Sequence, residues 1–193
     1  EMKTDMHASG RPRDAAEAAR AAFAAVQGKP FPTDIFTAPR LRWAVIGCGV
    51  IANQMARSLA LAGRAIHGVA NRTHAKAVAF AEAYGIQRVY GSVEDLYDDP
   101  EVDAVYITTP HNTHIEYLRA ALSAGKHVLC EKAITLNSAE LEEARTLARE
   151  HGVVLMDATT LLHMPLYQEL RRRADAGEFG RLRLAQVNFG SFH

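Results

Sequence analysis

From residue 41 onward, short apolar runs alternate with amphipathic stretches of helical length. The runs are Trp43–Ile46, Ile66–Ala70, Val102–Ile107, His127–Cys130 and Val153–Met156, with a weaker one at Arg88–Tyr90. Between them the spacing predicts helices at 50–62, 74–84, 112–124 and 138–151. Pro110 precedes the third helix and Gly125 closes it, and Ser138 followed by Glu142 and Glu143 opens the fourth. Strands that are nearly all apolar, each followed by a helix, predict a parallel sheet covered on both faces. Right-handed crossovers make it an α/β doubly wound sheet, whose ligand lies at the carboxyl ends of the strands.

The pattern differs on either side of this region. Residues 1–12 are polar and turn-rich, and residues 13–27 are Ala-rich and predict one modest helix ended by Gly28, Lys29 and Pro30. Pro30, Pro32 and Pro39 mark a connector, so a boundary is expected near residue 40. Residues 165–176 predict a basic helix, and 181–190 alternate polar and apolar as a half-exposed strand would. Three segments follow: 1–40 as helix and linker, 41–158 as the sheet domain, and 159–193 as the start of a second α/β domain. The chain begins at Glu1 and stops at His193 directly after the last strand-like run, as an excerpt of a longer protein would.

Composition narrows the function classes. Hydrophobic residues are 48% and charged residues 23%, the mix of an ordinary globular protein. Lys+Arg and Asp+Glu both number 22, so nothing draws the chain broadly to nucleic acid or an anionic membrane. No apolar run approaches the ~20 residues of a membrane span. Two cysteines cannot staple 193 residues, and the expected compartment is the reducing cytoplasm. No His and Cys spacing suggests zinc, and no metal is expected.

The first strand runs straight into Gly47-Cys48-Gly49-Val50-Ile51-Ala52, then into a helix. This is G-x-G-x-x-A in a strand–turn–helix setting. Gly47 permits a tight turn, Gly49 lets a diphosphate approach the backbone, and small Ala52 lets the helix pack close to the sheet. The N–H groups at Val50 and Ile51 then face the phosphates at a helix N-terminus. The same turn can exist with no ligand. The second strand ends at Asn71-Arg72, where an NAD site carries a carboxylate. With no negative charge to repel it, a 2′-phosphate can pair with Arg72, which favours NADP over NAD. Arg72 reads equally as a solvated residue opening the next helix.

Two further strand ends carry candidate contacts. Thr108, Thr109, Pro110, Asn112 and His114 follow one strand, where Thr and Asn can bond a ribose or a nicotinamide amide. A histidine in a first helical turn, such as His114, is also often structural. Glu131 and Lys132 follow another strand. There Glu131 can bond the nicotinamide ribose, and Lys132 can stabilise negative charge developing on a substrate oxygen or move a proton. A surface ion pair is the bland alternative. Cys48 and Cys130 read as small buried residues, and Arg171–Arg173 as a solvated helix face.

Taken together, Ala44–Ala52, Thr109–His114, Ala124–Lys132 and Gly177–Gly180 resemble the Gfo/Idh/MocA family of NAD(P)-dependent oxidoreductases, in its order and spacing from residue 41 to about 190. The resemblance implies a Rossmann domain followed by a domain with a large antiparallel sheet, which often makes a homo-oligomer interface. It implies a sugar, cyclitol or related polyol as substrate, Lys132 as catalytic lysine and Glu131 as its cofactor-contacting neighbour. Two departures stand out. Ala133 replaces the family's proline after the lysine. The family's downstream Asp and His lie beyond residue 193, and His163 and His193 come too early to replace them. A non-catalytic dinucleotide-binding regulator on the same fold is the main alternative. A methyltransferase fits worst, since it has no use for the Glu-Lys segment.

Overall fold

The computed structural model describes residues 38–186; the predicted helix at 13–27 and residues 187–193 lie outside this range. The described elements are β1 (Trp43–Ile46), α1 (Val50–Leu61), β2 (Gly68–Ala70), α2 (His74–Tyr84), β3 (Arg88–Val89), α3 (Val93–Asp98), β4 (Ala104–Ile107), α4 (His114–Ser123), β5 (His127–Cys130), α5 (Ser138–Glu150), β6 (Leu155–Asp157) and α6 (Pro165–Asp175). Short 3-10 turns at His111–Thr113 and Thr160–His163 precede α4 and α6.

The six strands form one parallel sheet in the order β3-β2-β1-β4-β5-β6. This is the doubly wound arrangement that the strand–helix alternation predicts. Period-two alternation divides the core. Ala44 and Ile46 of β1 pack with Leu96, Leu118, Leu122 and Ala144 on one face, and Val45 packs with Ala52, Leu59, Ala77 and Phe80 on the other. β4, in the middle of the sheet, is buried at every position. β6 departs from the expected buried run: Val154 and Met156 are exposed, because this strand is an edge.

Three local differences have simple causes. The sequence pattern passed over α3, which is held by a reciprocal cap in which Ser92 accepts from the Asp95 N–H and Asp95 from the Ser92 N–H. The cap of α5 is Asn137, one residue before the expected start, and its side chain accepts from the Glu140 N–H. Residues 181–186 form no strand; a half-exposed strand needs a neighbour to pair with, and none is present among the described residues. No residue of α6 is buried. Among the described residues no helix is long and apolar enough to cross a membrane.

At the amino ends of β1 and β4, Arg42 grips Asp103 with Nη2 at 2.7 Å and Nε at 3.0 Å, and its backbone N–H adds a third bond. These bonds hold the Asp103 carboxyl down to about 2, the Arg42 side chain contributing most. Because the folded group is more acidic than the ordinary ~4 of an unfolded chain, the stabilisation is complete above pH ~4. It is lost as pH falls through about 2. Asp103→Asn should therefore lower stability at neutral pH by about 1 kcal/mol, the upper end for a partly exposed pair. In melts run from pH 6 downward, the gap to the parent should close below pH ~4; a gap independent of pH contradicts the assignment.

Candidate active site

The carboxyl ends of β1, β4 and β5 are neighbours in the sheet. Each runs into one of the segments singled out in the sequence, so the glycine turn, the Thr-Pro loop and the Glu-Lys pair share one edge. Gly47 has a φ of +100°. A Cβ on it would lie 2.6 Å from Thr108 Oγ1 and 3.1 Å from the Thr108 carbonyl oxygen. Gly49 is the N-cap of α1, and a Cβ there would meet nothing within 4 Å. No side chain caps α1 and its first turn carries no acidic residue, so the N–H groups around Val50 and Ile51 have no competing carboxylate. Ala52 is fully buried against the sheet. An uncapped helix start beneath open space fits a diphosphate.

Asn53, which the sequence pattern passed over, holds the turn in place. Its Nδ2 donates to the Gly49 carbonyl at 2.9 Å, and its Oδ1 accepts from the Tyr84 hydroxyl at 2.7 Å. Thr108 supports the turn from the other side, its hydroxyl donating to the Ile46 carbonyl at 3.0 Å. Asn71 Nδ2 donates to the Thr73 carbonyl, and Arg72 stands exposed just past β2 without an ion pair among the described residues.

In the Thr-Pro loop His114, which the sequence offered as a cofactor contact or a structural residue, is fully buried. Its Nε2 lies 2.8 Å from the Thr109 carbonyl and its Nδ1 2.9 Å from the Ala133 carbonyl. With both nitrogens turned to backbone oxygens, the ring ties the loop after β4 to the turn after β5 and has no surface to offer a ligand. Pro110 and Asn112 remain exposed, and Thr113 donates to the Pro110 carbonyl at 2.7 Å.

After β5 the two charged residues have different surroundings. Glu131 is buried and accepts from the Tyr106 hydroxyl at 2.5 Å. Lys132 is exposed, with Nζ 3.9 Å from Glu131 Oε2. Burial, then the hydrogen bond to Glu131, pushes the Tyr106 phenol well above its usual range, so it stays protonated and donates. Lys132 opens onto a cleft of about 530 Å³ lined also by Ile134, Leu136, Leu141, Asp157 and Thr159. Cys48 and Cys130 are free. Burial raises the first to about 11 and the second to about 12, which leaves neither a nucleophile at neutral pH.

The far end of the sheet carries a different cluster. His67, Asp99 and Glu101 offer ligand atoms within 4.8 Å of one another. The Arg88 guanidinium already binds both carboxylates, and the Tyr90 hydroxyl donates to Asp99 at 2.7 Å. Both carboxylates are thus engaged in an ion-pair network, while His67 Nε2 is buried 3.9 Å from Asp99 Oδ2 without a hydrogen-bond partner among the described residues.

A parallel sheet in this order, with an open glycine turn at its switch point, defines a dinucleotide-binding Rossmann protein. The Gfo/Idh/MocA model, an oxidoreductase family with an NAD-binding Rossmann fold, matches residues 41–159, and the chain belongs to that family. It is 39% identical over 153 residues to trans-1,2-dihydrobenzene-1,2-diol dehydrogenase of Mus musculus, covering 78% of this chain and 46% of the relative. The Homo sapiens form is 37% identical over the same length. Among solved structures, a 3-ketoreductase from Actinomadura kijaniata in complex with NADP and TDP-benzene aligns with a TM-score of 0.65 and 35% identity. That alignment spans 72% of this chain and 43% of the other. A UDP-N-acetylglucosamine 3-dehydrogenase from Acidithiobacillus ferrooxidans gives 0.64 and 32%, over 70% and 42%. The chain thus spans less than half the length of the relatives it matches.

Proposed function

We propose that this chain binds NADP across the Gly47–Gly49 turn and forms the cofactor half of an oxidoreductase acting on a hydroxyl-bearing carbon of a sugar, cyclitol or related polyol. The observation that carries this reading is the shared edge: an open diphosphate turn, a Thr-Pro loop and an exposed lysine lie at the carboxyl ends of three adjacent strands. The names of the relatives support the substrate class: a 1,2-diol in one case, a 3-ketone in another and UDP-N-acetylglucosamine in a third.

When bound, the nicotinamide supplies a hydride acceptor or donor. The chain's own residues do the rest. The backbone N–H groups of Val50 and Ile51 and the dipole of α1 receive the diphosphate. Thr109 and Asn112 offer polar groups on the loop after β4, and Glu131 offers a carboxylate to a ribose hydroxyl. Lys132 would hold an ammonium beside the substrate oxygen, which gains negative charge as a carbonyl carbon receives hydride and, in the reverse direction, as the hydroxyl gives up its proton before hydride leaves the carbon. A purely sensing protein has no need of that ammonium. The two free thiols agree with a cytoplasmic setting.

The choice of NADP rests on Asn71 and Arg72, which replace a carboxylate with a neutral amide and a cation. Fluorescence titration should show NADPH binding more tightly than NADH. Arg72→Gln should remove about 10-fold of that preference, the scale of one charge-assisted contact. Equal binding, or tighter NADH, overturns the assignment of Arg72.

A further inference from the structure

Tyr106 is a polar residue in the middle of a central parallel strand whose other members, Ala104, Val105 and Ile107, are aliphatic. Register explains whom it meets. Tyr106 lies level with Leu129 of β5, and period two puts Leu129 and Glu131 on the same face. Tyr106 therefore reaches one diagonal step along the face to the carboxylate that ends β5. That face is the one packed by Ala52 and Ala56 of the helix that follows the glycine turn. A buried phenol needs an acceptor, and a carboxylate buried at a strand end needs a donor. Each is the other's partner. The bond engages Oε1, while Oε2 faces Lys132 at 3.9 Å.

We propose that Tyr106 is a positioning residue of the nucleotide site: by donating to one oxygen of Glu131 it fixes that carboxylate, so that the other oxygen stays aimed at the edge where Lys132 and the nicotinamide ribose meet. This rests on the reading of the site given above. Tyr106 touches neither substrate nor cofactor. It acts only through Glu131, so removing its hydroxyl matters only while Glu131 is present.

A double-mutant cycle on this chain reads that dependence, with NADPH affinity measured by fluorescence. Tyr106→Phe keeps the ring among Val45, Ala52 and Leu129, and a thermal melt checks that the fold is retained. The expected result is about 5-fold weaker NADPH binding on Tyr106→Phe in the parent background, within the usual range of coupling between contacting residues. In the Glu131→Ala background the same change should alter binding by less than about 2-fold, within the usual error of additivity. An equal loss in both backgrounds means that Tyr106 only packs, and overturns the proposal. So does unchanged binding on Tyr106→Phe, or on Glu131→Ala alone. A parent chain that binds neither NADPH nor NADH overturns the nucleotide site itself, and the proposal with it. Failure of the proposal alone leaves parent binding intact.

Discussion

Lys132→Ala should lower hydride-transfer turnover by ~100-fold or more, the scale of a lost oxyanion donor or proton-transfer group, and leave nucleotide affinity close to the parent's. The measurement belongs on an enzyme of the relatives' full length that carries these residues, with turnover and nucleotide titration run on the same preparation. The split between the two readouts follows from the geometry. Lys132 is exposed, 3.9 Å from Glu131 Oε2, and opens onto the 530 Å³ cleft. The fold makes little use of it, since a partly exposed pair at that separation contributes ~1 kcal/mol or less. On the proposed reading its ammonium meets an oxygen whose charge grows in the transition state, and an interaction made mainly there raises turnover more than binding. Lys132→Arg keeps the charge but spreads it over a planar fork, so only partial recovery is expected. An unchanged rate in Lys132→Ala moves catalysis to another residue and favours the sensing alternative.

The second large effect separates the two glycines of the turn. Gly47→Ala places an L-residue at a φ of +100° and a Cβ 2.6 Å from Thr108 Oγ1, with the Thr108 carbonyl oxygen only 3.1 Å away. Rotating the threonine would relieve the first contact but not the second, which is backbone. Strain of ~1–3 kcal/mol follows, seen as a fall in melting temperature of about 3–10 °C, together with loss of NADPH binding. Gly49→Ala behaves differently. Gly49 has an ordinary φ of −78°, and its added methyl meets nothing within 4 Å. The melting temperature should hold, yet NADPH affinity should fall by ~10-fold or more, because the methyl enters the space where a diphosphate approaches the backbone. Gly49→Ala binding as tightly as the parent would mean that the diphosphate does not lie over the turn.

Much of the site was legible because its parts are local. A strand, a G-x-G-x-x-A turn and a helix are contiguous in the chain, and Gly47 takes the positive φ that the tight turn needs. Glu131-Lys132 also stood out, as two charges directly after an apolar run. The residues that the sequence pattern missed act across the fold. Tyr106 looked like one more large residue in an apolar strand, and its acceptor is 25 residues away. Asn53 looked like a polar position on an amphipathic helix, but its oxygen meets Tyr84 from α2. His114 was noticed, as a cofactor contact or a structural residue, but one of the carbonyls it faces belongs to Ala133 on another loop, which no local pattern shows. The short α3 was legible after all, through Ser92 and Asp95, and was passed over because six residues carry almost no periodicity.

The amino-acid sequence by itself determined the alternation of strands and helices, the parallel sheet and the place of the glycine turn, because each follows from hydrophobic period and backbone chemistry within a few residues. The tertiary structure alone decided which strand ends are neighbours, that Thr108 fills the space a side chain at Gly47 would need, and that Glu131 is held from below by Tyr106. Those outcomes depend on strand order and register, which bring distant residues to within a hydrogen bond of one another, and no local pattern encodes them.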